Sequence, residues 1–242
     1  MRKLKALSTV GTLGMLVAGS LVFGSAQVAT AASCSPAPTN SYPGTVVVAT
    51  GFESGGLCGL IPTVSGTGTA AVSTAKPYAG THSVKLHVTT DIGSVANLSS
   101  PAFTAGTKTS YAEGWFNITV AGVSGNDVPY FRFFSGSTRV ADIYRYNSNG
   151  QLWLRVTAPN GTFVYTKLIS SNITLSAWHH VIMRVTANGA ASTVQVWFDG
   201  VQRYSSTSVN MLGSSLSKVQ LGAEHDQQKG DEYIDHVVIK RS

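Results

Sequence analysis

From Thr45 onward the chain is a succession of short runs rich in Val, Thr, Tyr and Phe, separated by clusters of Gly, Asn and Ser. That rhythm limits the fold more than any single motif does. The runs that read as strands are 45–50, 83–88, 96–99, 111–120, 130–135, 139–146, 151–157, 164–168, 179–186, 193–198, 218–223 and 233–240. The turn chemistry between them agrees. Asn147-Ser148-Asn149-Gly150, Pro159-Asn160-Gly161, Ala187-Asn188-Gly189 and Asp199-Gly200 supply the positive φ that tight hairpins need. No segment holds a 3.6-residue apolar period over three turns. The pattern predicts an all-β chain of two antiparallel sheets packed as a sandwich.

Alternation sorts the faces of these strands, because successive side chains point to opposite sides. Leu152, Leu154 and Val156 share one side, while Trp153, Arg155 and Thr157 share the other. Ala112, Gly114, Phe116 and Ile118 oppose Tyr111, Glu113, Trp115 and Asn117. Val196 and Phe198 oppose Trp197. One set of faces is apolar and predicts the core. The other carries Trp, Tyr, Arg and Glu, which predicts one outer sheet with a polar-aromatic surface.

The start of the chain has a different character. Met1-Arg2-Lys3-Leu4-Lys5 is basic, an apolar stretch follows over 12–23, and Ala29-Thr30-Ala31 is small. This order predicts a secretory signal peptide over 1–32, with cleavage after Ala31 or Ala32. The apolar run is shorter than the about 20 residues of a spanning helix, so no membrane insertion is expected after cleavage. Cys34 lies just past the cleavage region, which leaves a lipoprotein as an alternative. The residue three places before it, however, is Ala31 and not the usual Leu. The segment 33–44, rich in Ser, Pro, Thr and Asn, reads as a short tail before a domain over 45–242. An extracellular monomer is expected.

Charge then loses much of its weight. The formal net charge is +6, but three of the 17 basic residues belong to the leader, leaving 14 against 11 acidic residues. No basic stripe exists, so nucleic acid is not an expected partner. Cys34 and Cys58 are the only cysteines. In an oxidising space they predict one disulfide closing a loop of about 25 residues, with two free thiols as the other possibility.

Ala177-Trp178-His179-His180-Val181, followed by Thr193-Val194-Gln195-Val196-Trp197-Phe198-Asp199-Gly200, resembles the laminin G-like, concanavalin A-like jelly roll. Residues 218–223, the stretch 231–239 and Phe52-Glu53-Ser54-Gly55 are similar to other strands of bacterial members. The resemblance implies that Trp178 packs in the core. It also implies a structural calcium held by Glu53 and Asp235, although His236 stands where a second Asp is usual. The fold hosts lectins, glycosidases, lyases and adhesion modules, so function rests on the site.

Three functions fit. The first is a module that binds a polysaccharide or cell-surface glycan without catalysis. Indole rings stack on the C–H faces of sugars while polar side chains bond hydroxyls. Trp115, Trp153 and Trp197 are the expected platforms, with Glu113, Asn117, Arg132, Tyr144, Arg155 and Glu224 beside them. The second is a polysaccharide lyase or glycoside hydrolase. A retaining glycosidase needs paired carboxylates about 5 Å apart, and no Glu-x-Asp-x-x-Glu occurs. A lyase needs a base and a group that neutralises a uronate; Arg132, Arg155 and His225 could contribute, with Glu224 where related lyases carry Tyr. No complete catalytic set is predicted. The third is an adhesion or structural protein. No zinc spacing, phosphate loop or dinucleotide fingerprint is present.

Overall fold

The computed structural model describes residues 32–34 and 36–242. The leader predicted over 1–32 therefore lies outside the described residues, apart from Ala32. In chain order the strands are β1 (Ala32–Ser33), β2 (Thr45–Thr50), β3 (Ile61–Ser65), β4 (Thr69–Ser73), β5 (Ser83–Val88), β6 (Val95–Ser99), β7 (Thr109–Ile118) and β8 (Asp127–Ser135). They continue as β9 (Thr138–Tyr146), β10 (Leu152–Thr157), β11 (Phe163–Ile169), β12 (His179–Thr186), β13 (Ser192–Phe198), β14 (Val201–Val209), β15 (Lys218–Ala223) and β16 (Gly230–Arg241).

One sheet has nine strands, in the order β1-β2-β16-β7-β12-β13-β14, with β5 paired to the first half of β16 and β4 paired to β5. The other has seven, in the order β11-β10-β9-β8-β15-β6-β3. Apart from the parallel pair β1–β2, every pairing is antiparallel. The predicted two-sheet sandwich is the observed fold.

The core is where alternation placed it. Ala112, Phe116 and Ile118 of β7 meet Phe131 and Phe133 of β8 and Leu152, Leu154 and Val156 of β10. The Phe116 ring stands edge-on to Tyr130 and Phe131, an arrangement favoured by the aromatic quadrupole. Each fully buried apolar side chain of this kind contributes about 1.5–3 kcal/mol. At the β13–β14 hairpin Asp199 has φ 50 and Gly200 φ 76, as the Asp-Gly signal required.

Beyond the two-residue β1, three strands escaped the sequence pattern: β3, β4 and β14. Their residues are exposed or half-buried, so selection for one apolar face is weak and alternation fades. Pro62 in β3 is tolerated because β3 is an edge strand. In β16 the register shifts between Asp235 and Val238, and His236 takes φ 48. This bulge switches the parity of the strand, so that Ile234 before it and Val237 after it both face the core.

Cys34 and Cys58 form a disulfide with Cα atoms 5.6 Å apart. It ties the N-terminal segment to the loop after β2. From there residues 36–44 run toward β2 as a strap against the nine-stranded sheet. The Lys240 ammonium donates to the carbonyls of Asn40 (2.9 Å) and Tyr42 (2.7 Å), and Asn40 donates to the Glu113 carboxylate. The Tyr42 ring stacks on Tyr111 at 5.0 Å.

Candidate functional site

The residues expected to form one sugar-binding face lie on two. Glu113, Trp115, Asn117 and Trp197 belong to β7 and β13 of the nine-stranded sheet. Arg132, Tyr144, Trp153, Arg155 and the neighbouring Glu224 belong to the seven-stranded sheet or its edge. The sheets pack through their apolar faces, so the two polar-aromatic faces point in opposite directions. The expectation of a single polar-aromatic sheet is corrected on this point.

On the nine-stranded sheet the rings are already covered. Trp115 has Tyr78 stacked 3.7 Å away and His180, its cross-strand partner, stacked at 4.7 Å. Both indole faces are thus occupied by protein. Glu113 accepts from His180 Nε2 (2.8 Å) and from Asn40. Burial would raise the Glu113 pKa, but these bonds and the nearby charge outweigh it and hold it below its usual value. Asn117 is buried, and Trp197 lies beside the strap, 6.4 Å from Tyr42. Trp178, expected in the core, is instead half-buried and edge-on to Tyr78 at 5.8 Å.

The loop that carries Tyr78 is held by the two residues expected to bind calcium. Glu53 accepts from the backbone N–H of Thr81 and His82 and from the Thr81 hydroxyl. Asp235 Oδ2 accepts from the N–H of Tyr78 (2.9 Å) and Ala79 (3.2 Å), and its Oδ1 from the N–H of His236 (2.7 Å). Desolvation raises the Glu53 pKa, but the bonds from His82 and Thr81 together outweigh it and bring it to about 2. Every carboxylate oxygen faces a hydrogen-bond donor, whereas a hard cation needs oxygens turned toward it. Among the described residues no group of three or more Asp, Glu, His or Cys side chains is gathered around a common point. In this arrangement the pair serves as a clasp for the 78–82 loop.

The seven-stranded sheet presents a different surface. A groove of about 540 Å³ is lined by Gly125, Asn126, Asp127, Tyr144, Tyr146, Trp153, Arg155 and Tyr165. Pairing explains the grouping. Trp153 sits opposite Tyr144, and Arg155 sits opposite Asp142 on one side and Tyr165 on the other. Their strands place Leu152, Leu154 and Ile143 in the core and send these side chains outward.

An ion-pair network forms the floor. Arg155 Nε donates to Asp142 Oδ1 (2.9 Å) and Nη2 to Asp142 Oδ2 (2.6 Å), while Nη1 lies 3.1 Å from Asp127 Oδ2. Desolvation would lower the Arg155 pKa, but bonding to Asp142 and the charges of Asp142 and Asp127 raise it. Burial pushes the Asp142 carboxyl upward against the pull of Arg155. Arg139 extends the network to Asp142 and Glu224, each at 3.5 Å. Arg132 Nη1 lies 3.1 Å from Glu224, and Arg132 also donates to the Gly222 carbonyl.

The expected sugar contacts therefore separate. Trp153, Tyr144 and Arg155 line the groove. Arg132 is fully buried, so it supports the floor and touches no ligand. Glu224 is committed to Arg132 and Arg139. His225 does not line the groove. Sequence reasoning missed Asp127, Asp142, Tyr146 and Tyr165. Asp142, a charge in the otherwise apolar run Val140–Ile143, was the signal within reach.

Among the described residues no helix is long and apolar enough to cross a membrane. No family model matches the chain, and no curated protein matches it by sequence. Solved structures match its fold. The chain is similar to the endo-beta-1,4-glucuronan lyase of the fungus Trichoderma reesei at TM-score 0.63 and 15% identity, covering 77% of this chain and 92% of that one. It is similar to the cellulose induced protein Cip1 at TM-score 0.60 and 15% identity, over 78% and 95% of the two chains. It is also similar to domain 4 of AbnA, a GH43 extracellular arabinanase from Geobacillus stearothermophilus in complex with arabinotriose. That match has TM-score 0.56 and 14% identity, over 83% and 94%. These neighbours are carbohydrate-related β-sandwich proteins, and at such identities the likeness establishes the sandwich fold of this chain.

Proposed function

We propose that this protein is an exported, laminin G-like module that binds a polysaccharide or surface glycan through the groove of the seven-stranded sheet, as a monomer and without chemistry of its own. The observation that carries the reading is the groove itself: aromatic side chains of Tyr144, Tyr146, Trp153 and Tyr165 around a guanidinium fixed by two carboxylates. Rings give apolar area for sugar C–H faces, and the Tyr hydroxyls and Asn126 give directional partners. The leader-like 1–32 and the Cys34–Cys58 bridge support export into an oxidising space. The carbohydrate-related neighbours are consistent with the same setting.

Binding is favoured over catalysis by the state of the polar groups. Burial raises the Tyr144 pKa, which makes it a poor proton acceptor near neutral pH. Asp127 and Asp142 are both paired with Arg155, so neither is free as a nucleophile or general base. The test is a glycan-array screen of residues 33–242 combined with an assay for unsaturated uronate ends. Retention on a glycan without product formation is the expected result. Sustained turnover would replace binding with lyase activity.

A further inference from the structure

We propose that the ligand of this groove is an uncharged polysaccharide, with Arg155 acting as a positioning residue and not as a receptor for ligand carboxylates. The inference rests on reading the groove as a glycan site and adds the class of glycan.

The argument starts from the guanidinium. A uronate or sulfate is recognised best by a free, forked pair of N–H groups. Every nitrogen of Arg155 already has a carboxylate beside it: Nε and Nη2 donate to Asp142, and Nη1 lies 3.1 Å from Asp127. An anion arriving at Arg155 would compete for one positive charge with two carboxylates that are themselves largely buried. Removing one partner from such a pair is strongly unfavourable. It would also approach the negative Asp127 on the groove wall.

The rest of the network is closed in the same way. Arg132 is buried beneath the surface and faces Glu224, and Arg139 divides its charge between Asp142 and Glu224. Three guanidinium groups thus meet three carboxylates. The charged residues that line the groove, Asp127 and Arg155, cancel. What remains open to a ligand is ring surface and neutral hydrogen-bonding groups. Tyr165 is half exposed and stands across from Arg155, while Trp153 stands across from Tyr144. That combination matches sugar rings carrying only hydroxyl groups.

A cation beside the groove takes no part in these ion pairs. Lys167 on β11 is exposed, with its ammonium 5.9 Å from the Trp153 ring centroid. An exposed ammonium beside the groove is a solvated charge, strongly screened by salt. It attracts anions weakly and does not orient them.

The experiment is calorimetric titration of the mature chain with two panels. The neutral panel is xylan, arabinan and cellulose oligosaccharides; the acidic panel is polygalacturonate, glucuronan and alginate oligosaccharides. The neutral panel is expected to bind, with Kd changing less than about twofold between about 50 and about 500 mM NaCl. Trp153→Ala should weaken that binding at least about tenfold. Binding confined to the acidic panel, or a Kd that rises tenfold or more with salt, would overturn the uncharged-ligand inference while leaving a glycan-binding groove. Silence in both panels would overturn the groove reading itself, and this inference with it.

Discussion

The two outer faces of the sandwich begin from the same alternating pattern of apolar and aromatic-polar residues and end as different surfaces. On the nine-stranded sheet, Trp115 lies between Tyr78 and His180, and Tyr42 of the strap covers Tyr111. On the seven-stranded sheet, exposed Tyr165 and half-buried Trp153 line a groove above a floor of paired charges. Aromatic rings on a strand are thus equally suited to packing under a loop and to receiving a ligand. Which occurs depends on whether another segment reaches them. Here the disulfide, Lys240, Glu53 and Asp235 all hold covering segments on the same side.

The largest effect expected from breaking this contrast is in the floor. Asp142→Ala leaves the Arg155 guanidinium largely buried with one partner fewer, and should destabilise the fold by about 3–5 kcal/mol. Urea unfolding measures this. A loss under 1 kcal/mol, roughly the value of a surface pair, would mean that the network is solvated.

Releasing the covered face comes next. Reducing the Cys34–Cys58 bridge frees the strap at one end, with a stability loss of about 3 kcal/mol. Thermal unfolding with and without reductant reports it. An unchanged transition would show that Lys240 and Tyr42 hold the strap unaided.

Between the faces lies a titratable group that belongs to neither. Burial raises the Glu232 pKa to about 8, with Arg132 pulling the other way, and its Oε1 has no hydrogen-bond partner. A carboxyl with a raised folded-state pKa is protonated when folded and ionised when unfolded between about 4.5 and about 8. Its contribution is therefore complete below about pH 4.5 and is lost as pH rises through about 8. Glu232→Gln should flatten the fall in stability across that window while leaving both outer faces intact. The same slope in the variant would assign it to another group.

Two tryptophan variants should then separate the faces directly. Trp153→Ala should lower glycan affinity at least about tenfold with little change in melting temperature. Trp115→Ala should lower the melting temperature and leave affinity unchanged, since both of its ring faces serve packing. Reversal of the two outcomes would exchange the roles of the sheets. The smallest effect is expected from chelation. Adding EDTA should leave the melting temperature unchanged, because Glu53 and Asp235 bind backbone N–H groups. A clear fall would restore a cation to that clasp.

Much of the fold was legible from the chain alone. Alternation in 111–118 and 151–157 separated core from outer residues, since a strand that buries one face must repeat every second residue. Asp-Gly set the β13–β14 turn, and the cysteine pair pointed to the disulfide. Periodicity identifies a face but carries no information about which sheet a strand joins or what lies over it. The joining of Trp153, Tyr144 and Arg155 into one groove, and the loss of Trp115 and Trp197 to the opposite side, follow from pairing between distant strands. Likewise, Glu53 and Asp235 are two carboxylates in sequence; only the folded loop between Tyr78 and His82 turned N–H donors toward them and made them a clasp. The local sequence determined which side chains leave the core. Long-range packing alone decided which of them remain open to a ligand.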